Sequence, residues 1–69
     1  MDNYVTGMTI KALREQKNMT QADLAEKIDV SPKTISKWET AKGFPDISLL
    51  DSLAAALDVS VMELCPGIR

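Results

Sequence analysis

The sequence predicts an all-α fold, one small domain of short amphipathic helices, and three observations lead there. Residues 20–39 read TQADLAEKIDVSPKTISKWE, two helical patterns separated only by Asp29 and Val30. Apolar residues recur at helical spacing on both sides of this stretch, at Ile10 and Leu13 before it and at Leu49, Leu50, Leu53, Ala54 and Leu57 after it. With 69 residues the chain has room for a single domain. A domain of that size buries only about 60% of its unfolded surface, which favours an economical helical core.

The first helix is expected over about residues 6–17, where Ile10, Leu13 and Arg14, with Lys17 seven residues after Ile10, lie on one face. Residues 1–4 have no periodicity and are expected to fray or pack loosely, with Tyr4 and Val5 placed to cover one end of the core. Asn18 suits a left-handed residue after the helix, and Met19 returns to the core. Thr20 is an N-cap with Asp23 three residues on, and Leu24, Ala25 and Ile28 give a second helix over residues 21–28. Asp29 and Val30 turn the chain. Ser31 is the next N-cap, Pro32 suits a first helical position whose N–H has no partner, and the third helix continues to Glu39. Two helices joined so tightly must cross, which makes residues 20–39 a helix-turn-helix.

At about 100° per residue, Pro32, Lys33, Ser36, Lys37 and Thr40 share one arc of the third helix, and Thr34, Ile35, Trp38 and Glu39 share the opposite one. The first arc is short, polar and cationic, the second suited to packing. Residues 40–46 form a loop with Gly43 and Pro45. Asp46 is placed to cap a fourth helix carrying Leu49, Leu50, Leu53, Ala54 and Leu57, with Ile47 near its start. Ser60 and Glu63 make a capping box that opens a short fifth helix through Val61, Met62 and Leu64, which Pro66-Gly67 ends.

Composition excludes several function classes. The chain has no histidine and one cysteine, Cys65, so the usual zinc ligand sets are missing and no disulfide can form within it. No metal and no cofactor are expected. Only carboxylates remain for acid–base chemistry, and Glu15, Asp23, Glu26, Asp51 and Glu63 are spaced as caps and exposed helix positions. No glycine-rich phosphate loop is present, so no enzymatic activity is expected. No apolar run nears the roughly 20 residues of a membrane span and no signal peptide opens the chain, which points to the cytoplasm.

The net charge of −2 is unfavourable for a nucleic-acid partner taken as a sum, but its distribution is uneven. Residues 1–45 hold seven bases and six acids (+1), and residues 46–69 hold four acids and one base (−3). The acidity therefore sits mainly behind the motif.

The pattern T-Q-x-x-L-A, a turn, V-S-x-x-x-I-S-x-W-E and then K-x-x-P resembles the Cro/repressor (Xre) type of helix-turn-helix DNA-binding domain. Ile10, Leu13 and Arg14 upstream and Pro45, Leu53, Ala54, Leu57, Val59, Ser60, Val61 and Leu64 downstream extend the likeness over about residues 7–64. The resemblance implies a compact five-helix, lambda-repressor-like domain. In it the helix of about residues 32–40 lies in the DNA major groove and the helix from Gln21 crosses the backbone. It also implies a partly buried ion pair between Arg14 and Glu39, and phosphate contacts from Gln21 and Lys42. The chain departs from the family pattern where Asp29, Ala41 and Asp58 stand in for glycines. Aspartate tolerates left-handed backbone angles at little cost. Ala41 implies either about 1 kcal/mol of local strain or a loop in which Gly43 takes the positive φ.

The function expected from these residues is sequence-specific binding of double-stranded DNA in transcriptional regulation. Lysine can donate to guanine O6 and N7, and hydroxyls can bond several base edges. Lys33, Ser36 and Lys37 are thus candidates for base contacts, flanked by Pro32 and Thr40, while either lysine can instead meet a phosphate. One copy offers few cations, so a homodimer on an inverted repeat is expected, with Met62, Cys65, Pro66 and Ile68 as the contact surface. The rival reading is a protein-binding partner of the same fold, such as an antitoxin, in which DNA binding is secondary.

Overall fold

The computed structural model describes the backbone of residues 3–64 and the side chains of residues 5–64. Five helices follow one another: α1 (Asn3–Gln16), α2 (Gln21–Lys27), α3 (Pro32–Glu39), α4 (Ile47–Ala56) and α5 (Val61–Leu64). No strand occurs among the described residues. Helix α3 packs on both α1 and α2, and α5 closes the other side against α1 and α4. Ile10, Leu24, Ile35, Leu53, Leu57 and Leu64, drawn from all five helices or their caps, are fully buried and form the centre of the core. Trp38 joins them at 5% exposure.

Local chemistry sets most helix starts. Thr20 forms a reciprocal capping box with Asp23: the Asp23 amide donates to Thr20 Oγ1 (3.0 Å) and the Thr20 amide to Asp23 Oδ2 (2.9 Å). Ser31 Oγ accepts from the Thr34 amide (3.2 Å), with Pro32 in the first turn of α3. Ser60 and Glu63 repeat the box, with 3.2 Å in each direction. Asp46 occupies the N-cap of α4 but makes no side-chain cap bond, against expectation. The cap position is held instead by backbone, the Leu49 amide donating to the Asp46 carbonyl at 2.8 Å.

Four helices end alike. Asn18, Asp29, Ala41 and Asp58 all take positive φ, between 58° and 61°. The following amides, those of Met19, Val30, Lys42 and Val59, each return to the carbonyl five residues earlier, at 2.9–3.0 Å. This is the Schellman arrangement, which satisfies carbonyls that a helix end leaves bare. Met19, Val30 and Val59 also pack on the core just past their turns. Asn18, Asp29 and Asp58 thus adopt the left-handed geometry that the sequence assigned to them. Ala41 resolves the open alternative: it carries the left-handed φ of 61° itself, and Gly43 does not.

Three further expectations fail. Helix α1 begins at Asn3 instead of about residue 6, so residues 3 and 4, expected to fray or pack loosely, are helical. The cause is tertiary: Thr6 is only 2% exposed, and Gly7 lies so close to the end of α3 that an added Cβ would collide with the Trp38 carbonyl oxygen. Docking there extends a helix that local pattern does not mark. Ile47 is 78% exposed and adds nothing to the apolar face of α4, since it lies off the side of the first turn through which Leu50 enters the core. Val5 is exposed and does not cap the core. Tyr4's side chain, the Pro66-Gly67 stop, and Cys65, Pro66 and Ile68 lie outside the described residues.

Candidate nucleic-acid interface

Helix α3 divides as its sequence predicts. Ile35 and Trp38 are buried and Thr34 and Glu39 half-buried, while Pro32, Lys33, Lys37 and Thr40 are exposed and Ser36 is half-buried. Packing of one arc against α1 and α2 fixes the rotation of the helix and so points the other arc outward. The two lysines stand on an exposed polar arc, a ridge of Pro32, Lys33, Ser36, Lys37 and Thr40 that contains no acidic residue, and a major groove admits an α-helix.

The hydroxyls on this ridge are not equivalent. Thr40 Oγ1 donates to the Ser36 carbonyl at 2.8 Å, so its proton is engaged and it can offer only an acceptor. The Ser36 hydroxyl engages no other described residue and can donate or accept. Lys42 lies exposed beyond the helix, its amide fixed to the Lys37 carbonyl at 2.9 Å.

Behind the ridge sits a charged cluster. Arg14, 8% exposed, donates from Nε to Glu39 Oε2 (2.7 Å) and from Nη2 to Glu39 Oε1 (3.1 Å). Its remaining Nη1 donates to the Met19 carbonyl (2.7 Å). The hydrogen bond to Glu39 pushes the Arg14 pKa further up, so its guanidinium holds its charge. Bidentate geometry and burial make it a strong tie between α1 and the end of α3. Gln21, at the start of α2, joins the same cluster: its Nε2 donates to Glu39 Oε1 at 3.0 Å. This link places the start of α2 beside the end of α3. Spacing along the sequence had no means of showing it, because residues 18 apart meet only through the crossing of the two helices. Beyond the cluster, Lys17 and Asp58 pair at 3.8 Å on the open surface, a contact of little energetic weight.

The depression over Met19, Asp23, Glu26 and Lys27 is open and holds no nucleophile paired with a base. Asp23 there is already committed to its cap, and hydrogen bonding from the Thr20 backbone first and its side chain second holds its carboxyl below the usual range. No described helix is long and apolar enough to cross a membrane.

The profile of the helix-turn-helix family matches residues 10–64, most of the chain. The chain belongs to the Cro/repressor type of helix-turn-helix DNA-binding domain. That membership supports sequence-specific DNA binding in transcriptional regulation. It is 41% identical over 58 residues to the HTH-type transcriptional activator BcrR of Enterococcus faecalis, covering 84% of this chain and 28% of that protein. The P22 c2 repressor, solved with a synthetic operator, superposes with a TM-score of 0.86 at 33% identity, over 91% of this chain and 96% of that one. Hydroxypropylphosphonic acid epoxidase from S. wedmorenis superposes with a TM-score of 0.84 at 28% identity, but over only 34% of its own length. The chain thus spans about a quarter of the curated activator and all but a few residues of the repressor domain.

Proposed function

We propose that α3 reads an operator from the major groove, with Lys33, Ser36 and Lys37 facing base edges, Pro32 and Thr40 flanking them, and Gln21 and Lys42 on the adjacent phosphates. The supporting observation is the division of α3, whose apolar arc is fixed in the core while its cationic arc is exposed. Two copies bind together on an inverted repeat. A monomer holding three or four phosphates has a salt slope of about −3, and a second copy on a half-site one turn away roughly doubles it. Met62, 57% exposed at the far end of the domain, is one of the apolar groups available for that pairing. The domain acts in the cytoplasm and by binding, without catalysis.

Selection of duplexes from random sequence, followed by stoichiometry and salt titration, tests this reading. A palindromic site bound two-to-one with a slope near −6 is expected. A one-to-one complex on a non-repeated site ends the dimer proposal. Failure to enrich any duplex, with a small protein co-purifying from the host, reassigns the domain to protein binding.

A further inference from the structure

Glu39 does more than neutralise Arg14. Its carboxylate takes three donors: Arg14 Nε at 2.7 Å on Oε2, and Arg14 Nη2 at 3.1 Å with Gln21 Nε2 at 3.0 Å on Oε1. Its side chain is only 3% exposed, so the acceptor is stationary and screened from water. The Gln21 amide has two N–H groups, and one is spent on Glu39; the other, like its Oε1, engages no described residue. Glutamine is long and flexible, and on the first turn of a helix an untethered one samples many rotamers that a contact must then freeze.

We infer that Glu39 is the positioning residue for the phosphate grip of Gln21: it tethers one N–H of the Gln21 amide so that the other is presented, pre-oriented, to a backbone phosphate. The inference rests on the proposed phosphate role of Gln21. It also explains the composition of the cluster. A lone carboxylate beside the DNA backbone would repel it, and Arg14 cancels that charge through two hydrogen bonds. Arg14 neutralises, Glu39 orients, and Gln21 delivers the donor. Arg14 Nη1 holds the Met19 carbonyl at 2.7 Å, which steadies the chain just ahead of the α2 cap.

Two measurements decide it. In the free wild-type protein, side-chain ¹⁵N relaxation is expected to find the Gln21 amide as ordered as the backbone; an amide moving like that of a surface glutamine overturns the inference without any substitution. In the second, the Arg14→Met/Glu39→Met protein removes the tether while replacing a buried pair by apolar groups, an exchange that commonly preserves the fold. Affinity is measured for a duplex selected by the wild-type protein. Gln21→Met in the wild-type background is expected to weaken binding roughly tenfold, the scale of one hydrogen bond to a charged group. The double methionine variant is expected to lose a similar factor, and adding Gln21→Met to it to cost little more. Equal losses from Gln21→Met in both backgrounds make Glu39 a structural residue only and overturn the inference. No loss from Gln21→Met in the wild-type background instead removes the phosphate role itself, and the inference with it.

Discussion

Replacing Gly7 by alanine ordinarily stabilises a helix, by about 1 kcal/mol at an interior position. Here the opposite is expected. Gly7 lies inside α1 with normal helical geometry, so its role is not a positive φ. An added Cβ would run into the Trp38 carbonyl oxygen and stand 3.2 Å from both the carbonyl carbon and oxygen of Glu39. All three atoms are backbone at the end of α3, where the Trp38 carbonyl also accepts from the Ala41 amide at 3.2 Å. None can swing aside like a side-chain tip, so α1 must move off α3. Overpacking of this kind costs about 1–3 kcal/mol, and a backbone obstacle places the cost at or above the upper end. Set against the helical gain, the net loss is about 2 kcal/mol, or a fall of roughly 8–16 °C in Tm for a domain of this size. Thermal and urea unfolding followed by circular dichroism measure it. Gly43→Ala is the control, since its nearest neighbours are ordinary contacts at 3.9 Å and its φ is not positive, and it is expected to unfold at or slightly above the wild-type midpoint. A Gly7→Ala protein as stable as wild type refutes the close approach of α1 to α3.

Arg14→Ala and Glu39→Ala are each expected to destabilise by about 3 kcal/mol, because each strands a buried partner, and the double variant to lose less than the sum; losses of a few tenths that simply add contradict the burial. Ala41→Gly is expected to stabilise by about 0.5–1 kcal/mol by relieving the left-handed φ of 61°, partly offset by the extra freedom of glycine when unfolded; an unchanged urea midpoint refutes the strain. The Asp23 cap gives a pH signature. Its folded-state pKa is depressed, so the stabilisation is present above the unfolded value, near 4, and disappears as pH falls through the lower folded value. The difference in midpoint between wild type and Asp23→Asn is therefore expected to be full at pH 7 and to shrink as pH falls below about 4; a difference that stays constant into acid contradicts the assignment.

Much of the fold was legible because its signals are local. Thr20 with Asp23, Ser31 with Pro32, and Ser60 with Glu63 each mark a helix start within four residues, and each forms in the structure. Asn18, Asp29 and Asp58 mark the ends for a similarly local reason, the tolerance of short polar side chains for positive φ. The Arg14–Glu39 tie came from family likeness, with two residue-level hints: Arg14 on the apolar face of the first helix and Glu39 on the packing arc of the third. Asp46 misled because a residue with the chemistry of a cap need not adopt the rotamer of one. The early start of α1 and the role of Gly7 depend on the approach of residues more than 30 positions apart, which no periodicity encodes. A glycine inside an otherwise ordinary helical stretch was the available signal, since it sacrifices helix propensity without need of a turn. On the interface, the two faces of α3 were readable from spacing, but the hydrogen bond that spends the Thr40 proton and the one that tethers Gln21 were not.

The central claim, that the exposed arc of α3 reads bases, is tested most directly by repeating the duplex selection with Lys37→Ala and comparing affinities across the enriched sequences. The variant is expected to lose about 1–3 kcal/mol on the wild-type site and to relax its preference at one position in each half-site, at unchanged thermal stability. A loss equal on every sequence would move Lys37 to the phosphates, and no loss at all would contradict the placement of this face in the groove.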